Sequence, residues 1–240
     1  MKKPLLAGIV LLLLLASCQS TGPNQGKEPT VSTPKKLCAL TFDDGPDLVK
    51  TQRVLDRLAQ HRVVATFFLV GSRVTDQTKP LLQQMVAMGC ELANHSWDYD
   101  SLNTVSAEVV QQKFTRTQEA IKRIAGVDAK FFRPPNLAVS QTMFDVIPLP
   151  FAEGVLGFDW AGCGTTAQDR AQKVLAGMDD GAIILLHDVQ PDPHPTPEAL
   201  DILIPELKKQ GYEFVTLSEL FKRKGIDPAS RKGSMWKYVR

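Results

Sequence analysis

Short apolar runs alternate with helical stripes along the chain from Leu37 to residue 223. The runs are rich in β-branched and aromatic residues, which is typical of strands. Strands that alternate with helices favour parallel pairing, so the sequence predicts an α/β fold, a distorted (β/α) barrel of about seven parallel strands. The predicted strands are Leu37–Phe42, Val63–Val70, Cys90–Asn94, Lys130–Phe132, one within Phe151–Phe158, Ala182–Leu186 and Glu213–Val215.

The segments between these strands repeat apolar residues at helical spacing. The longest predicted helix, Ser106–Ala125, has an apolar stripe from Val110 to Ile124 and stops at Gly126. The tail, residues 224–240, is basic and has little apolar pattern, so we expect it to be loosely ordered. The other predicted helices are Thr51–Gln60, Asp76–Met88, Gln168–Met178, Pro197–Gln210 and a final turn, Ser218–Lys222.

The N-terminal residues resemble an export signal. Two lysines precede an apolar run from Leu5 to Leu15, which has the length of a signal-peptide core and is too short to span a bilayer. The run ends in Leu15-Ala16-Ser17-Cys18, which resembles a bacterial lipobox. Residues 1–18 are therefore interpreted as a lipoprotein signal peptide with Cys18 as the lipidation site. Ordinary signal cleavage with an incidental cysteine is the alternative.

Residues 19–36 are mostly polar, so they are predicted to form a flexible tether ahead of a catalytic domain over residues 37–223. This organisation predicts an exported bacterial lipoprotein, anchored to a membrane by its lipid on the periplasmic or another extracytoplasmic face. Export permits a disulfide. Cys38 and Cys90 both begin predicted strands and could pair, but free buried thiols fit the sequence equally well.

Composition narrows the classes of partner. Of the 240 residues, 43% are hydrophobic and 22% are charged, which is ordinary for a globular domain with a core. The net charge is +2, and no block of basic residues interleaved with aromatic ones occurs in the body of the chain. We therefore expect no nucleic-acid partner, and we expect a monomer.

Polar side chains follow five of the predicted strands, at the point where each strand ends. In a barrel of parallel strands these positions share the C-terminal rim, where active sites are built. Groups that are scattered over the sequence would then converge on one pocket. The residues are Asp43 and Asp44, His95, Arg133, Asp159 and His187.

Each of these groups also has a structural interpretation. The two aspartates precede Gly45-Pro46, a pair that marks turns, although adjacent acids at a strand end are costly unless they are exposed or near a cation. His95 could be a satisfied half-buried histidine, or an imidazole ligand for a metal. Arg133 could be a structural cap, or a planar group that orients a carboxylate. His187 ends an apolar strand and, oriented by a carboxylate, could act as a general acid.

In this order, the residues resemble the polysaccharide deacetylase family, carbohydrate esterase family 4, over about residues 37–223. The first hexapeptide is the most specific part of the resemblance. The similar segments are Thr41-Phe42-Asp43-Asp44-Gly45-Pro46, Asn94-His95-Ser96-Trp97, Arg133-Pro134-Pro135, Asp159-Trp160 and Leu185-Leu186-His187.

The resemblance implies a metal-dependent hydrolase. Asp44 and His95 would bind one divalent metal ion, with zinc expected first and cobalt, nickel or manganese as alternatives. Asp43 would be the general base that takes a proton from the attacking water, and Arg133 would orient it.

The resemblance also implies an acid and a pocket on the opposite side. His187 would protonate the departing amine, and Asp159 would tune it. The backbone N–H of Asn136 would help to hold the oxyanion. The walls of the acetyl pocket would be Pro135, Trp160 and Leu185.

Two positions depart from the family pattern. Where the family usually has a second metal histidine, four residues after the first, this chain has Tyr99. Tyrosine is a poor zinc ligand because its phenol has a pKa near 10. We favour Asp100 as the third ligand. The alternatives are Asp98, Tyr99 itself, or no third protein ligand, with extra waters completing the coordination. Asn136 stands where a tyrosine is common, which a backbone N–H donor would tolerate.

The leading functional hypothesis is hydrolysis of N-acetyl groups from an envelope polysaccharide, most simply an amino sugar of peptidoglycan. One alternative is a catalytically weakened glycan-binding domain, in which Tyr99 marks a lost metal ligand. Another is an O-acetyl polysaccharide esterase, which uses the same groups on a different leaving group.

Overall fold

A computed structural model describes residues 35–161 and 164–240 of the protein. Residues 1–34, with the predicted signal peptide, Cys18 and most of the tether, lie outside the described residues, as do residues 162 and 163. The strands are β1 Lys36–Asp43, β2 Thr66–Leu69, β3 Glu91–Asn94, β4 Phe151–Ala152, β5 Val155–Leu156, β6 Ala182–His187, β7 Tyr212–Val215 and β8 Met235–Trp236. The helices are α1 Lys50–His61, α2 Lys79–Ala87, α3 Ala107–Ala125, α4 Gln141–Val146, α5 Ala167–Ala176, α6 Thr196–Lys209 and α7 Leu217–Lys224.

The central sheet is parallel and has β1 at its middle. Its strand order in the described residues is β3–β2–β1–β6–β5, and β7 pairs with the first half of β1. Single bridges from Asn94 to Phe132 and from Phe132 to Phe151 carry the curvature on from β3 to β4. This is the predicted α/β architecture of a distorted barrel, because helices cover a curved sheet of parallel strands.

Two predicted strands are much shorter in the structure. Lys130–Phe132 is reduced to the bridges at Phe132, since two prolines follow after a single residue, Arg133. The strand expected within Phe151–Phe158 is divided into β4 and β5. At the division, a Cβ on Gly154 would lie 2.8 Å from the Leu185 Cβ, so glycine allows β6 to approach closely.

The alternation of side chains along β1 shows why residues 37–40 of this strand are all apolar. Cys38, Leu40 and Phe42 belong to the larger core cluster, which includes side chains of α1, α2, α3, α5 and α6. Leu37 and Ala39 point to the opposite face and belong to an inner cluster. Because both faces of the strand are buried from Leu37 onward, no polar side chain occurs between Lys36 and Thr41.

The prediction of a loosely ordered C-terminal tail is wrong. Strand β8 pairs in parallel with β4, and the Trp236 indole donates a hydrogen bond of 2.9 Å to the Pro228 carbonyl. Trp236 is 4% exposed and Val239 is fully buried, and both pack in the inner cluster with Phe221 and Ile183. Trp236 and Val239 stand in a segment rich in basic residues, so the apolar pattern of the tail was too weak to reveal this packing.

The two cysteines that could have paired are free thiols, Cys38 and Cys90. Both are buried, and burial raises the pKa of each thiol. Among the described residues, no helix is both long enough and apolar enough to cross a membrane.

Candidate active site

The strand ends converge on one cavity, as the rim argument predicts. Asp43 at the end of β1 is directly paired in register with His187 at the end of β6. The cavity has a volume of about 700 Å³. Its lining includes the predicted residues Asp43, Asp44, His95, Tyr99, Pro135, Asn136, Trp160, Leu185 and His187, together with Lys50, Arg73 and Gln190.

The Arg133 guanidinium is fully buried and fixes the carboxylate of Asp43. Its Nη1 donates to Asp43 Oδ1 at 2.6 Å and to Thr41 Oγ1 at 2.9 Å. Its Nε and Nη2 donate to the backbone carbonyls of Ala152 and Glu153, at 3.2 and 2.8 Å. Since a charged hydrogen bond of this kind orients the carboxylate, Asp43 Oδ1 is committed to Arg133 and Oδ2 is left for the cavity.

Asp44 is held in an unusual backbone conformation, with φ of 81°. Its Oδ2 accepts a hydrogen bond of 2.6 Å from Gln190 Nε2, and its carbonyl accepts one of 3.2 Å from the Tyr99 hydroxyl. Burial alone would raise the pKa of Asp44, but His95 outweighs burial and holds that pKa below its usual value. An ionised, oriented carboxylate is therefore present at the edge of the cavity.

His95 presents Nε2 to both aspartates. Its Nδ1 lies 2.8 Å from the Arg133 carbonyl, which can only accept, so Nδ1 carries the proton and Nε2 points at the carboxylates. Nε2 is 3.6 Å from Asp44 Oδ1 and 3.9 Å from Asp43 Oδ2. Burial lowers the pKa of His95, but Asp43 and Asp44 outweigh it and leave that pKa raised. The negative field that draws a proton to Nε2 would equally draw a metal cation.

These distances fit a divalent cation. Two ligands that are each about 2.1 Å from a tetrahedral metal ion lie about 3.4 Å apart, close to the separation of Nε2 from Asp44 Oδ1. Among residues 35–161 and 164–240, however, no group of three or more histidine, cysteine or carboxylate side chains is arranged to hold a metal ion. Asp44 and His95 are therefore the side chains whose separation fits such a cation, and solvent or substrate would have to complete its coordination.

The preference for Asp100 as a third ligand is not met by the structure. Its carboxylate is 76% exposed and accepts a hydrogen bond of 2.6 Å from Lys113, outside the cavity. Asp98 accepts from the same lysine at 2.6 Å. Tyr99 does face the cavity, but its hydroxyl donates to the Asp44 carbonyl and accepts from Arg73 Nε at 2.9 Å. Tyr99 therefore supports the Asp44 backbone.

His187 and Asp159 form a closed pair opposite the cation site. Asp159 Oδ1 lies 2.7 Å from His187 Nδ1, and Oδ2 accepts from the His187 backbone N–H at 2.7 Å. Burial lowers the pKa of His187, but Asp159 outweighs burial and raises that pKa to about 9. Burial would raise the pKa of Asp159, but His187 and the hydrogen bonds lower it. The imidazole is therefore held as a cation with Nε2 available to the cavity.

The predicted pocket residues differ in exposure. Leu185 is 2% exposed and forms the floor, whereas Trp160 is 42% exposed and stands edge-on to the His187 ring at a centroid distance of 5.7 Å. Pro135 precedes Asn136, whose φ of 58° lies in the left-handed region that asparagine tolerates better than most residues. These residues surround the space between base and acid.

Sequence reasoning missed Gln190, Asp188 and Thr51. Asp188 is buried next to the aspartate pair and accepts a hydrogen bond from Thr51 Oγ1. Burial, together with the charges of Asp44 and Asp43, raises its pKa to about 7. The carboxylate directly after His187 was a usable signal for Asp188. Nothing in the sequence marked Gln190, because a neutral amide after a strand has no distinctive pattern.

Comparisons with known proteins agree with this geometry. Residues 30–148 match the family model described as polysaccharide deacetylase. The chain is 46% identical over 220 residues to a bifunctional xylanase/deacetylase of Pseudobutyrivibrio xylanivorans, covering 92% of this chain and 36% of that protein. It is 40% identical over 205 residues to the peptidoglycan-N-acetylglucosamine deacetylase PgdA of Listeria monocytogenes, covering 84% of this chain and 43% of that protein.

A solved structure covers nearly the same unit. The family 4 acetyl xylan esterase of Clostridium thermocellum, in complex with a cobalt ion, has a TM-score of 0.82 and 51% identity. The match covers 85% of this chain and 99% of that one. The chain spans only 36% and 43% of the two curated relatives, so their whole activities are not transferred with the fold. The family resemblance of the sequence and the predicted fold are both confirmed. The chain belongs to the polysaccharide deacetylase family.

Proposed function

We propose that the protein hydrolyses acetyl groups on a polysaccharide with the help of one divalent metal ion. The observation that supports this most directly is the opposition of two fixed groups across one cavity. Asp43 is locked by the buried Arg133, and His187 is locked by the buried Asp159. A site that only binds glycan has no need for a base and a protonated imidazole in such an arrangement.

In the proposed reaction Asp43 Oδ2 accepts a proton from the attacking water. Arg133 keeps this carboxylate oriented. A divalent cation held by Asp44 and His95, when bound, lowers the pKa of water and polarises the acetyl carbonyl. The backbone N–H of Asn136 is proposed to stabilise the oxyanion, a contribution of typically about 3 kcal/mol for such a donor.

His187 completes the reaction from the other side. Its Nε2 proton is donated to the departing group, an amine from an amide or an alcohol from an ester. Asp159 keeps Nδ1 protonated, so that Nε2 is the atom that gives up its proton at the cavity. Trp160 and Leu185 would enclose the acetyl methyl group while the sugar extends outward.

The substrate that we propose first is an N-acetylated amino sugar of peptidoglycan. The 40% identity to the Listeria deacetylase supports it. The lipobox-like residues ending at Cys18 favour an envelope substrate too, because a membrane-anchored enzyme acts near the cell wall. The proposed anchor is testable by mass spectrometry of the N-terminal peptide, which would have a lipid mass on Cys18 and would lose it in Cys18→Ala.

Acetylated xylan is a second candidate substrate. The 51% identity to the acetyl xylan esterase and the 46% identity to the xylanase/deacetylase favour it. Amide and ester hydrolysis share the base, the cation and the acid, so the geometry of the catalytic groups serves both.

The test is acetate release from three substrates: peptidoglycan fragments, N-acetylglucosamine oligomers and acetylated xylan. The protein is stripped with a chelator and then supplied with zinc, cobalt, nickel or manganese. We expect acetate release that disappears on stripping and returns with metal. Glycan binding without acetate release under any metal would support the binding-domain alternative. The ratio of rates on amide and ester substrates decides between the two candidate substrates.

A further inference from the structure

A second buried arginine, Arg170, lies behind the acid side of the site. It belongs to α5, is 1% exposed, and has no salt-bridge partner among the described residues. Its Nη1 lies 2.8 Å from Thr196 Oγ1 and 3.1 Å from His194 Nδ1, and its Nε donates to Thr165 Oγ1 at 3.0 Å. Burial of a guanidinium without a carboxylate partner is unfavourable, and these hydrogen bonds offset that cost.

The direction of each hydrogen bond follows from donor and acceptor chemistry. A guanidinium has donors and no acceptor, so Thr196 Oγ1 and His194 Nδ1 must both accept from Arg170. The single hydroxyl hydrogen of Thr196 is then free to donate to Asp159 Oδ2, which lies 2.8 Å away. His194 must have its proton on Nε2, which lies 2.8 Å from the His187 carbonyl. Burial lowers the pKa of His194, in keeping with a neutral ring.

Both hydrogen bonds from Arg170 Nη1 therefore lead to the pair of His187 and Asp159. One reaches the Asp159 carboxylate through a hydroxyl, and the other reaches the His187 backbone through an imidazole. Asp159 Oδ2 is held from two sides, by Thr196 and by the His187 N–H, while Oδ1 is left for His187 Nδ1. Rotation of the carboxylate would break three short hydrogen bonds together.

We propose that Arg170, acting through Thr196 and His194, is a positioning residue that holds Asp159 in the orientation His187 needs to protonate the leaving group. This inference rests on the proposed function, in which His187 is the acid. Arg170 touches neither substrate nor metal ligand, so its effect is confined to the proton-donating half of the reaction.

The test compares Thr196→Val, which keeps the shape but removes the hydroxyl, with Thr196→Ser, which keeps the hydroxyl. Two substrates are used: an N-acetylglucosamine oligomer, whose amine must be protonated to leave, and 4-nitrophenyl acetate, whose phenolate leaves without a proton. General acid catalysis contributes about 10²- to 10⁴-fold, so partial misplacement of the acid should lower kcat on the oligomer about tenfold. The aryl ester should be hydrolysed at nearly the wild-type rate, and the serine variant should behave like wild type on both.

A control on α5, the helix of Arg170, is Val174→Ala, since the Val174 side chain is apolar and fully buried. This variant should change the rates of hydrolysis of both substrates by similar factors. Arg170→Lys and Arg170→Gln extend the series, with thermal melting to verify folding. Equal losses on both substrates in Thr196→Val, or a serine variant that fails like the valine one, would overturn the proposal.

A spectroscopic measurement makes the inference independent of turnover. The proton on His187 Nδ1 should give a low-field imidazole signal in the proton NMR spectrum, assigned by its loss in His187→Gln. Thr196→Val should shift or broaden this signal, whereas Thr196→Ser should retain it. If wild type releases no acetate from any glycan, the proposed function fails, yet this spectrum still decides whether Thr196 holds the pair. An unchanged signal in Thr196→Val would refute it.

Discussion

Two histidines face the same cavity, the buried His95 and the partly buried His187, and the structure holds them in different ways. On the acid side, His187 Nδ1 lies 2.7 Å from Asp159, and both carboxylate oxygens are engaged in short hydrogen bonds. On the cation side, His95 Nε2 lies 3.6 and 3.9 Å from Asp44 and Asp43, beyond hydrogen-bond contact. On the acid side the imidazole and the carboxylate are in direct contact, whereas on the cation side a space remains between the imidazole nitrogen and the carboxylate oxygens.

In the proposed mechanism, the distance to the nearest carboxylate, rather than burial, assigns the two imidazoles to different chemistry. Both rings are largely buried, and both have nearby acids. A carboxylate in contact keeps a proton on the ring and makes an acid of it. Carboxylates set about one ångström farther away cannot share that proton directly, so their charge favours a cation in the space between.

Breaking the base should have the largest effect. Asp43→Asn keeps the side-chain shape, and its amide oxygen can still accept from Arg133, but it cannot take a proton. We expect acetate release to fall about 10³-fold, within the range for a general base. Metal content, measured by elemental analysis after dialysis, should stay near wild type. A variant that folds but loses its metal would mean that Asp43 is a ligand and that the roles of the two aspartates are exchanged.

Breaking the acid pair should have the next largest effect. Asp159→Asn cannot hold the imidazolium, and we expect kcat on an amide substrate to fall about 10²-fold with metal affinity unchanged. The chain offers a matched control, because His61 Nε2 and Asp201 Oδ1 form a pair at 2.8 Å away from the cavity. Asp201→Asn should leave turnover within twofold or so of wild type. Comparable losses in both variants would contradict a specific role for Asp159.

The proposed cation site can be tested by adding a metal ligand to it. Tyr99→His places an imidazole at the edge of the cavity next to Asp44, and we expect zinc to bind about tenfold more tightly, measured by competition with a chelating dye. Asp100→Asn is the control, since the Asp100 carboxylate is paired with Lys113 outside the cavity. If Asp100→Asn weakens zinc binding and Tyr99→His does not change it, the sequence-based preference for Asp100 is right after all.

The smallest expected effect concerns stability and pH. His187 has a folded-state pKa of about 9, above its ordinary value of 6.5, so protonation of His187 stabilises the fold. That contribution is fully present below pH 6.5 and is lost as the pH rises through 9. In metal-free protein, the Tm difference between wild type and His187→Gln should therefore shrink from pH 6.5 to pH 10. A difference that stays constant over this interval would show that His187 is neutral in the fold.

Much of the fold was predictable because its pattern is local. Continuous apolar strands with both faces buried, such as β1 and β6, produce a strong signal, and their ends fix which residues reach the rim. The predictions were wrong where the sequence pattern is weak and packing determines the structure. Phe132 contributes single bridges in place of a strand, and Trp236 with Val239 fills the inner cluster although the tail around them is basic.

The sequence by itself determined which polar residues directly follow the parallel strands. From this it could be predicted that one rim of the barrel brings together Asp43, Asp44, His95, Arg133 and His187. That follows from the periodicity of parallel strands, which needs no knowledge of long-range contacts. Only the tertiary structure decided that Asp100 points away, that Gln190 binds Asp44 across 146 residues, and that Arg170 reaches Asp159 through Thr196. Side-chain direction and hydrogen bonds between distant segments depend on how the elements pack, and no local pattern encodes them.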